Sequence, residues 1–339
     1  MLTKSVIAML IGFITSTIMA LILIPILKKQ KASQSISIYL QKSHGNKKDT
    51  PTMGGLIFII STILIVTIFL LINKFNFSYT LIIILFTLFS YSLIGFIDDY
   101  LIIRRKNNDG LSRSQKLFLQ MIVALIFFYL FMKSGNEPLL WIHSLHFKLN
   151  IGFLYGIFIL FVLVASSNAV NLTDGLDGLA GGLSLICFFT FGILSWYAGW
   201  LDGYEEIAVT SFILVGSLLG FLIFNINPAK IFMGDTGSLA LGATLGAYAI
   251  MTRHEVLLIL IGLVFVLETM SCIIQIIYYK LTKKRFFSMT PIHHAFEKKG
   301  IKEVNVVRIF WLIGLLSSLI ALIYGVILWK KSIYLYLLL

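Results

Sequence analysis

Cysteine, proline and acidic residues are all scarce in this chain. Its 339 residues include 2 cysteines, 5 prolines and 15 acidic residues. Cys187 and Cys272 both lie in apolar runs, so there is no disulfide framework and no zinc-ligand spacing, and both read as packing residues. Charged residues make up only 12% of the chain against 58% hydrophobic, with a mean hydropathy of +0.95. That balance excludes a soluble domain built round a single core. The first apolar run, Ile7–Leu27, lacks a small-residue cleavage pattern and reads as a retained helix rather than a signal peptide.

What the chain has instead is a succession of apolar runs of about 20 residues, each enough to cross a bilayer core of about 30 Å. Ten spans are expected, at about Ile7–Leu27, Met53–Ile72, Tyr79–Ile97, Leu117–Met132, Ile151–Ala165, Leu179–Trp196, Ile207–Phe224, Ser238–Met251, Val256–Tyr279 and Val306–Trp329. The fold class expected is therefore all-α and polytopic, one membrane unit over residues 1–339. Alternate loops then divide the basic residues unequally. Only Lys4, Lys74, Lys133, Lys148, Arg253, Lys330 and Lys331 fall on one side, and the other 20 of 27 on the opposite side. The positive-inside rule makes the rich side cytoplasmic and puts both termini outside. The net charge of +12 thus reports membrane topology, and no nucleic-acid partner is expected.

The polar segments that are hard to explain structurally share that cytoplasmic face. They are His44–Gly55, Asp98-Asp99-Tyr100, Asn168–Gly182, Asn225–Ser238 and Pro291-Ile292-His293-His294. The outer side receives short loops and Lys133–Asn150, whose alternation suggests a small hairpin. In the third segment Asn168, Asn171, Asp174 and Asp177 recur every three residues. Three helical residues turn about 300°, so no single helix face holds all four, and Gly175 and Gly178 are expected to let an irregular loop converge them. A helix N-cap at Thr173 or Asp174 would account for one such side chain, not four.

Asp98 and Asp99 are expected to end the third span, where adjacent carboxylates repel and a helix C-terminus disfavours anions. Phe232-Met233-Gly234-Asp235-Thr236-Gly237-Ser238 reads either as a turn with an N-cap at Asp235 or Ser238, or as a magnesium carboxylate beside amides able to face phosphate oxygens. With Asp174 and Asp177, these carboxylates would repel any phosphate substrate unless Mg²⁺ bridges them. His293 and His294, taken alone, read as a solvent-facing pair rather than a zinc site; in this setting they are candidate donors to phosphate or carbonyl oxygens. Lys42 and Lys48 read as topology charges, whereas Lys47, near a glycine-rich helix start, is a candidate phosphate or nucleotide ligand. Glu268 and Gln275 share a helix face, Gln275 nearer the site and Glu268 in a structural role.

Thr50-Pro51-Thr52-Met53-Gly54-Gly55, Gly95-Phe96-Ile97-Asp98-Asp99-Tyr100, Asn168–Gly178, Asn225–Ser238 and Pro291-Ile292-His293-His294 match, in order and spacing, those of a known family. Over essentially its whole length the chain resembles the phospho-N-acetylmuramoyl-pentapeptide transferases of the polyprenyl-phosphate N-acetylhexosamine-1-phosphate transferase superfamily. The resemblance implies a ten-helix, dimeric bundle in the bacterial cytoplasmic membrane, with a cytoplasmic active site. It implies transfer of phospho-MurNAc-pentapeptide from UDP-MurNAc-pentapeptide to undecaprenyl phosphate, giving lipid I and UMP with Mg²⁺. It further implies Asp235 as magnesium ligand, Asp98 as the base that deprotonates the lipid phosphate, and Asp99 as its support. Phe232 is expected to stack on uracil beside Asp177, Gly175 and Leu176. Lys47, Asn171, Asp174, Asn225, His293 and His294 are expected nucleotide or diphosphate contacts, and Thr52, Asn168, Gly234 and Gln275 join the expected substrate site. Three places depart from the family pattern: Ala295 where a third His is usual, Ile102 where Lys is common (with Lys106 near enough to replace its charge), and Asp49 where Gly is common. A related transferase acting on another UDP-sugar, or a cation-coupled transporter with carboxylates in its path, are the competing classes.

Overall fold

The computed structural model describes residues 2–30, 50–105, 109–142, 147–199 and 201–327. Lys42, Lys47, Lys48, Asp49 and Lys106 lie outside the described residues. The element order is α1 (Leu2–Lys29), α2 (Gly55–Leu71), α3 (Tyr79–Arg105), α4 (Arg113–Lys133), β1 (Leu139–Ile142), β2 (Phe147–Asn150), α5 (Leu154–Thr173), α6 (Leu179–Trp196), α7 (Tyr204–Asn225), α8 (Gly234–Met251), α9 (Leu257–Ile261), α10 (Leu263–Thr282), α11 (Ile292–Lys298) and α12 (Glu303–Leu322), the last ending in a π turn, Ile323–Ile327. Among the described residues, eight helices are long and apolar enough to cross a membrane: α1, α3, α4, α5, α6, α7, α10, and α12 with its π turn. The two other expected spans are α2, shorter at 17 residues, and α8, which is enclosed by protein.

Every residue of α8 from Thr236 to Met251 is buried. Its Gly237, Ala240, Gly242, Ala243, Gly246 and Ala247 keep the helix thin, so that α3 and α5 pack against it closely, with α2 and α6 beside them. Small residues do the same work between α1 and α7. Ser5, Ala8, Gly12, Ser16 and Ala20 are buried along α1, and a Cβ on Gly216 of α7 would fall 1.9 Å from the Met9 carbonyl. Ser16 Oγ donates to the Ser217 carbonyl at 2.6 Å, a polar contact worth keeping where no water competes.

Several expected boundaries move. The third span runs past Ile97 to Arg105 and the fifth past Ala165 to Thr173, because polar side chains at a helix end do not stop the backbone ladder. The ninth, Val256–Tyr279, breaks at Gly262 into α9 and α10. The all-α description holds apart from one antiparallel hairpin in the expected place, β1 on β2 with Leu139 opposite Asn150.

At that end of the bundle Arg253 pins the hairpin approach. Its Nη1 donates to the Leu139 carbonyl at 2.9 Å and its Nη2 to the Glu137 carbonyl at 2.7 Å. The guanidinium lies 5.0 Å from the centre of the Phe131 ring and 3.2 Å from the Tyr155 hydroxyl, which in turn donates to Glu255 Oε1. Burial pushes the Glu255 carboxyl up from 4.5 to about 7 and the His254 imidazole down to about 4. An acid whose pKa is higher folded than unfolded weakens the fold as pH rises between the two values. Glu255 should therefore cost stability progressively from pH 4.5 to about 7, while His254, with the opposite sign, costs stability as pH falls from 6.5 to about 4. Thermal unfolding in detergent across this range should show that Glu255→Gln makes the decline towards neutral pH shallower while keeping the acid-side fall; a profile identical to wild type would contradict this.

Candidate active site

Asp99 anchors the arrangement. Gly234 opens α8 with φ +74°, which turns the first amides of the helix towards α3. Asp99, fully buried on α3, accepts from Asp235 N at 3.2 Å, Thr236 N at 3.0 Å and Thr236 Oγ1 at 2.7 Å. A carboxylate from another helix thus caps α8, which has no side-chain cap of its own. The expected N-caps are corrected accordingly: Asp235 lies in the first turn with its side chain free to point away, and Ser238 Oγ donates back to the Gly234 carbonyl. The segment before α2 closes the same corner, Gly54 N donating to the Phe232 carbonyl and Phe232 N to the Pro51 carbonyl, both at 2.8 Å. Thr52 is buried against Gly234. Gly95 lets α3 approach: a Cβ there would stand 2.1 Å from the Asp235 carbonyl oxygen.

Consecutive helical residues point about 100° apart, so Asp98 and Asp99 diverge rather than clash. They also lie inside α3, not at its end. Asp98 Oδ1 accepts from Leu111 N at 2.6 Å, and its Oδ2 lies 2.9 Å from Lys116 Nζ. The same ammonium lies 2.7 Å from Asp235 Oδ2. Asp235 Oδ1 accepts from Asn171 Nδ2 at 2.8 Å, and Asn171 also donates to Ser238 Oγ at 2.9 Å. Two carboxylate oxygens from separate helices therefore meet at one cation.

The Asn168–Gly178 stretch is helical as far as Thr173, then turns through 174–178, with Gly178 at φ +79° before α6. Of its four polar side chains, Asn171 joins the cluster directly. Asp174 follows the helix, and burial, with the neighbouring Asp235, Asp99 and Asp177, pushes its carboxyl up to about 8. Asp177 instead ties down the adjoining loop, its Oδ2 accepting from Asn227 Nδ2 and Ala229 N, each at 3.1 Å. Asn168 is not brought to the cluster: it is exposed and its amide donates to the Val164 carbonyl at 2.8 Å. Leu176 is buried and Gly175 exposed.

Asn225 is a buried clamp, accepting from Gly178 N at 3.2 Å and donating to the Ile231 carbonyl at 2.9 Å. Phe232 is half-buried beside it. His293 and His294 are both buried, which corrects the solvent-facing reading; His294 Nδ1 lies 2.8 Å from Glu297 Oε2. A cavity of about 710 Å³ opens on the far side of His294, lined by Gln275, Lys280, Arg285, Thr290 and Lys298 among others. Gln275 Oε1 accepts from Phe286 N at 3.2 Å and Phe287 N at 2.9 Å, which shapes this rim.

The sequence is similar to those of known transferases. The Glycosyl transferase family 4 profile covers residues 81–253, and phospho-N-acetylmuramoyl-pentapeptide-transferase signature 1 covers residues 47–59. The phospho-N-acetylmuramoyl-pentapeptide-transferase of Staphylococcus epidermidis is 49% identical over 325 residues, 95% of this chain and 98% of its own. The chain belongs to the phospho-N-acetylmuramoyl-pentapeptide-transferase family. A further member, from Oceanobacillus iheyensis, is 44% identical over 319 residues, 94% of this chain and 97% of its own.

Within that family frame, Lys116 is the residue that sequence reasoning left as a topology charge. Its signal was local: Ser112 and Gln115 form a capping box at the start of α4, and a lysine in the turn that follows opposes the helix dipole unless an anion compensates it. At Ala295, in place of the family's usual third His, the small side chain is buried in α11. Gly234 is constrained twice over, since a Cβ would meet Asp99 Oδ2 at 2.5 Å and Thr52 Oγ1 at 2.6 Å and φ is +74°. Gly234→Ala should cost about 1–3 kcal/mol, read as a lowered thermal unfolding midpoint in detergent, whereas Gly199→Ala, in open space, should not.

Proposed function

We propose that this protein transfers phospho-MurNAc-pentapeptide from UDP-MurNAc-pentapeptide to undecaprenyl phosphate, releasing UMP and forming lipid I, the first membrane step of peptidoglycan synthesis. The observation that carries the reading is the meeting of Asp98 and Asp235 oxygens at a single cation, in a chain 43–49% identical end to end to transferases of that name. Ten spans, both termini outside, a cytoplasmic active site in a bacterial cytoplasmic membrane, and a homodimer complete the proposal. The basic residues grouped at the Asp98–Asp235 end support that orientation.

The donor set suits magnesium. Two carboxylate oxygens converge on the Lys116 ammonium, and the Asn171 amide donates both to the other Asp235 oxygen and to the Ser238 hydroxyl. Mg²⁺ is commonly held by one or two carboxylates with waters and substrate phosphates filling its octahedron. Asp235 would hold the ion, with Asp98 facing it. Bound there, magnesium supplies charge neutralisation on the diphosphate and the leaving UMP.

The chain's own residues do the rest. Asp98 accepts the proton of the lipid phosphate, freeing an oxygen to attack the β-phosphorus in line. The bond to the bridging oxygen breaks, and UMP departs with the electron pair. Lys116 remains close enough to pair with phosphate oxygens once a metal takes its carboxylates. Phe232 stacks on uracil, and Gly175, Leu176 and Asp177 border that base. Asn171, Asp174, Thr52, Gly234, Asn225, His293, His294, Gln275 and Lys47 form the rest of the donor site. Catalysis is mostly positioning and charge neutralisation.

The deciding assay is UMP release in detergent from UDP-MurNAc-pentapeptide and undecaprenyl phosphate, with and without Mg²⁺, beside UDP-GlcNAc. Magnesium-dependent release with the muramoyl donor alone is expected; release from UDP-GlcNAc instead would move the protein to the sibling transferases. Asp235→Asn should abolish turnover with the fold retained, and magnesium-dependent activity in that variant would refute the metal assignment. Exchange of labelled UMP into the donor without lipid would instead indicate an aspartyl-phosphate on Asp98.

A further inference from the structure

Glu268 has no part in the chemistry above, yet it is a carboxylate placed fully inside the bundle on α10. Such a group is costly there unless it serves a partner. Its Oε2 lies 3.2 Å from His293 Nδ1, within ion-pair reach though outside hydrogen-bond geometry, and accepts from His293 N at 3.5 Å. Its other oxygen, Oε1, has no hydrogen-bond partner among the described residues. Both of its polar contacts there thus go to one residue. They reach it from both ends, through the backbone amide at the start of α11 and through the ring.

The ring's second nitrogen tells where that leads. Both ring nitrogens of His293 are buried without a hydrogen-bond partner among the described residues, but only Nδ1 has a carboxylate oxygen beside it, and Nε2 has none. It faces the 174–178 turn, and a Cβ built on Gly175 would fall 2.4 Å from it. An unpartnered ring nitrogen in a dry place is unfavourable unless a ligand completes it. Gly175 follows directly on Asp174, whose carboxyl stands in the field of Asp235 and Asp99, so this nitrogen borders the proposed donor site.

We propose that Glu268 is a positioning residue: it holds the hydrogen on His293 Nδ1, fixes the plane of the ring, and leaves Nε2 as the nitrogen presented past Gly175 to the nucleotide-sugar donor. A carboxylate that orients an imidazole through its far nitrogen settles both tautomer and angle. The proposal rests on His293 belonging to the donor site, and its test is arranged so that the two ideas fail separately.

The test is the ¹⁵N spectrum of ring-labelled histidine in the full-length protein in detergent, without substrate, with the His293 signals identified by their loss in His293→Gln. Wild type should carry the Nδ1 hydrogen. In Glu268→Leu the His293 ring should redistribute between tautomers. In parallel, kcat should fall about 10- to 100-fold, with KM for the donor changed far less. Glu268→Gln, whose amide oxygen still accepts, should recover most of the turnover. In a His293→Ala background Glu268→Leu should cost nothing further. A wild-type spectrum with the hydrogen on Nε2 alone overturns the proposal without any Glu268 variant. So does an unchanged His293 spectrum in Glu268→Leu, or an equal loss of turnover in the His293→Ala background. Because the spectrum needs no substrate, a correct tautomer with no effect of His293→Ala on turnover would instead count against His293 as a donor contact.

Discussion

The placement of Asp235 depends on a carboxylate that is itself occupied with backbone. Asp99 reaches from α3 to the first amides of α8 and takes three hydrogen bonds there. An anion at a helix N-terminus is stabilised by up to about 2 kcal/mol in a partly buried setting. Bonds to a charged acceptor are also stronger than neutral ones. The same three bonds that satisfy Asp99 therefore fix the turn that carries Asp235. Gly234 and Gly95 are the backbone conditions for it: one supplies the left-handed turn, the other the closeness of α3.

Charge decides the next layer. Among the described residues, Asp98 and Asp235 share one ammonium, Lys116, whose side chain is 27% exposed and so still open to solvent and ligand, and Asp174 stands in the field of Asp235. A diphosphate would add further negative charge to these carboxylates. The raised pKa of Asp174 expresses the same crowding of like charge, beneath the larger effect of its burial. A divalent cation resolves it with hard oxygen ligands, which is why the electrostatics favour a metal-using phosphoryl transfer.

The carboxylates were legible because each sits beside its glycine: Gly95 before Asp98 and Asp99, Gly175 after Asp174, Gly234 before Asp235. Those glycines are where backbones approach or turn, so motif and geometry coincide. Lys116 was not legible as a site residue, since its bond to Asp235 joins positions 119 apart in the chain and nothing local names the partner. Asn168 misled for the opposite reason. Its three-residue spacing to Asn171 looks regular, but on a continuing helix it turns the two side chains about 60° apart, enough that one reaches Asp235 and the other bonds to its own carbonyl ladder. The break at Gly262 was hidden because the apolar run continues unbroken across it. The burial of His293 was hidden because its partner, Glu268, comes from another helix.

Because α8 is sheathed on every turn beyond its first, the element carrying Asp235 touches no lipid. Helices at a bilayer boundary must tilt or stretch when membrane thickness changes, at a cost of fractions of a kcal/mol per Å. Here that accommodation falls on outer helices such as α1 and α10, most of whose residues are not buried in the bundle. The Asp235 carboxylate is in effect mounted on a strut inside a compliant shell. Its geometry should be indifferent to the composition of the membrane that delivers its lipid acceptor.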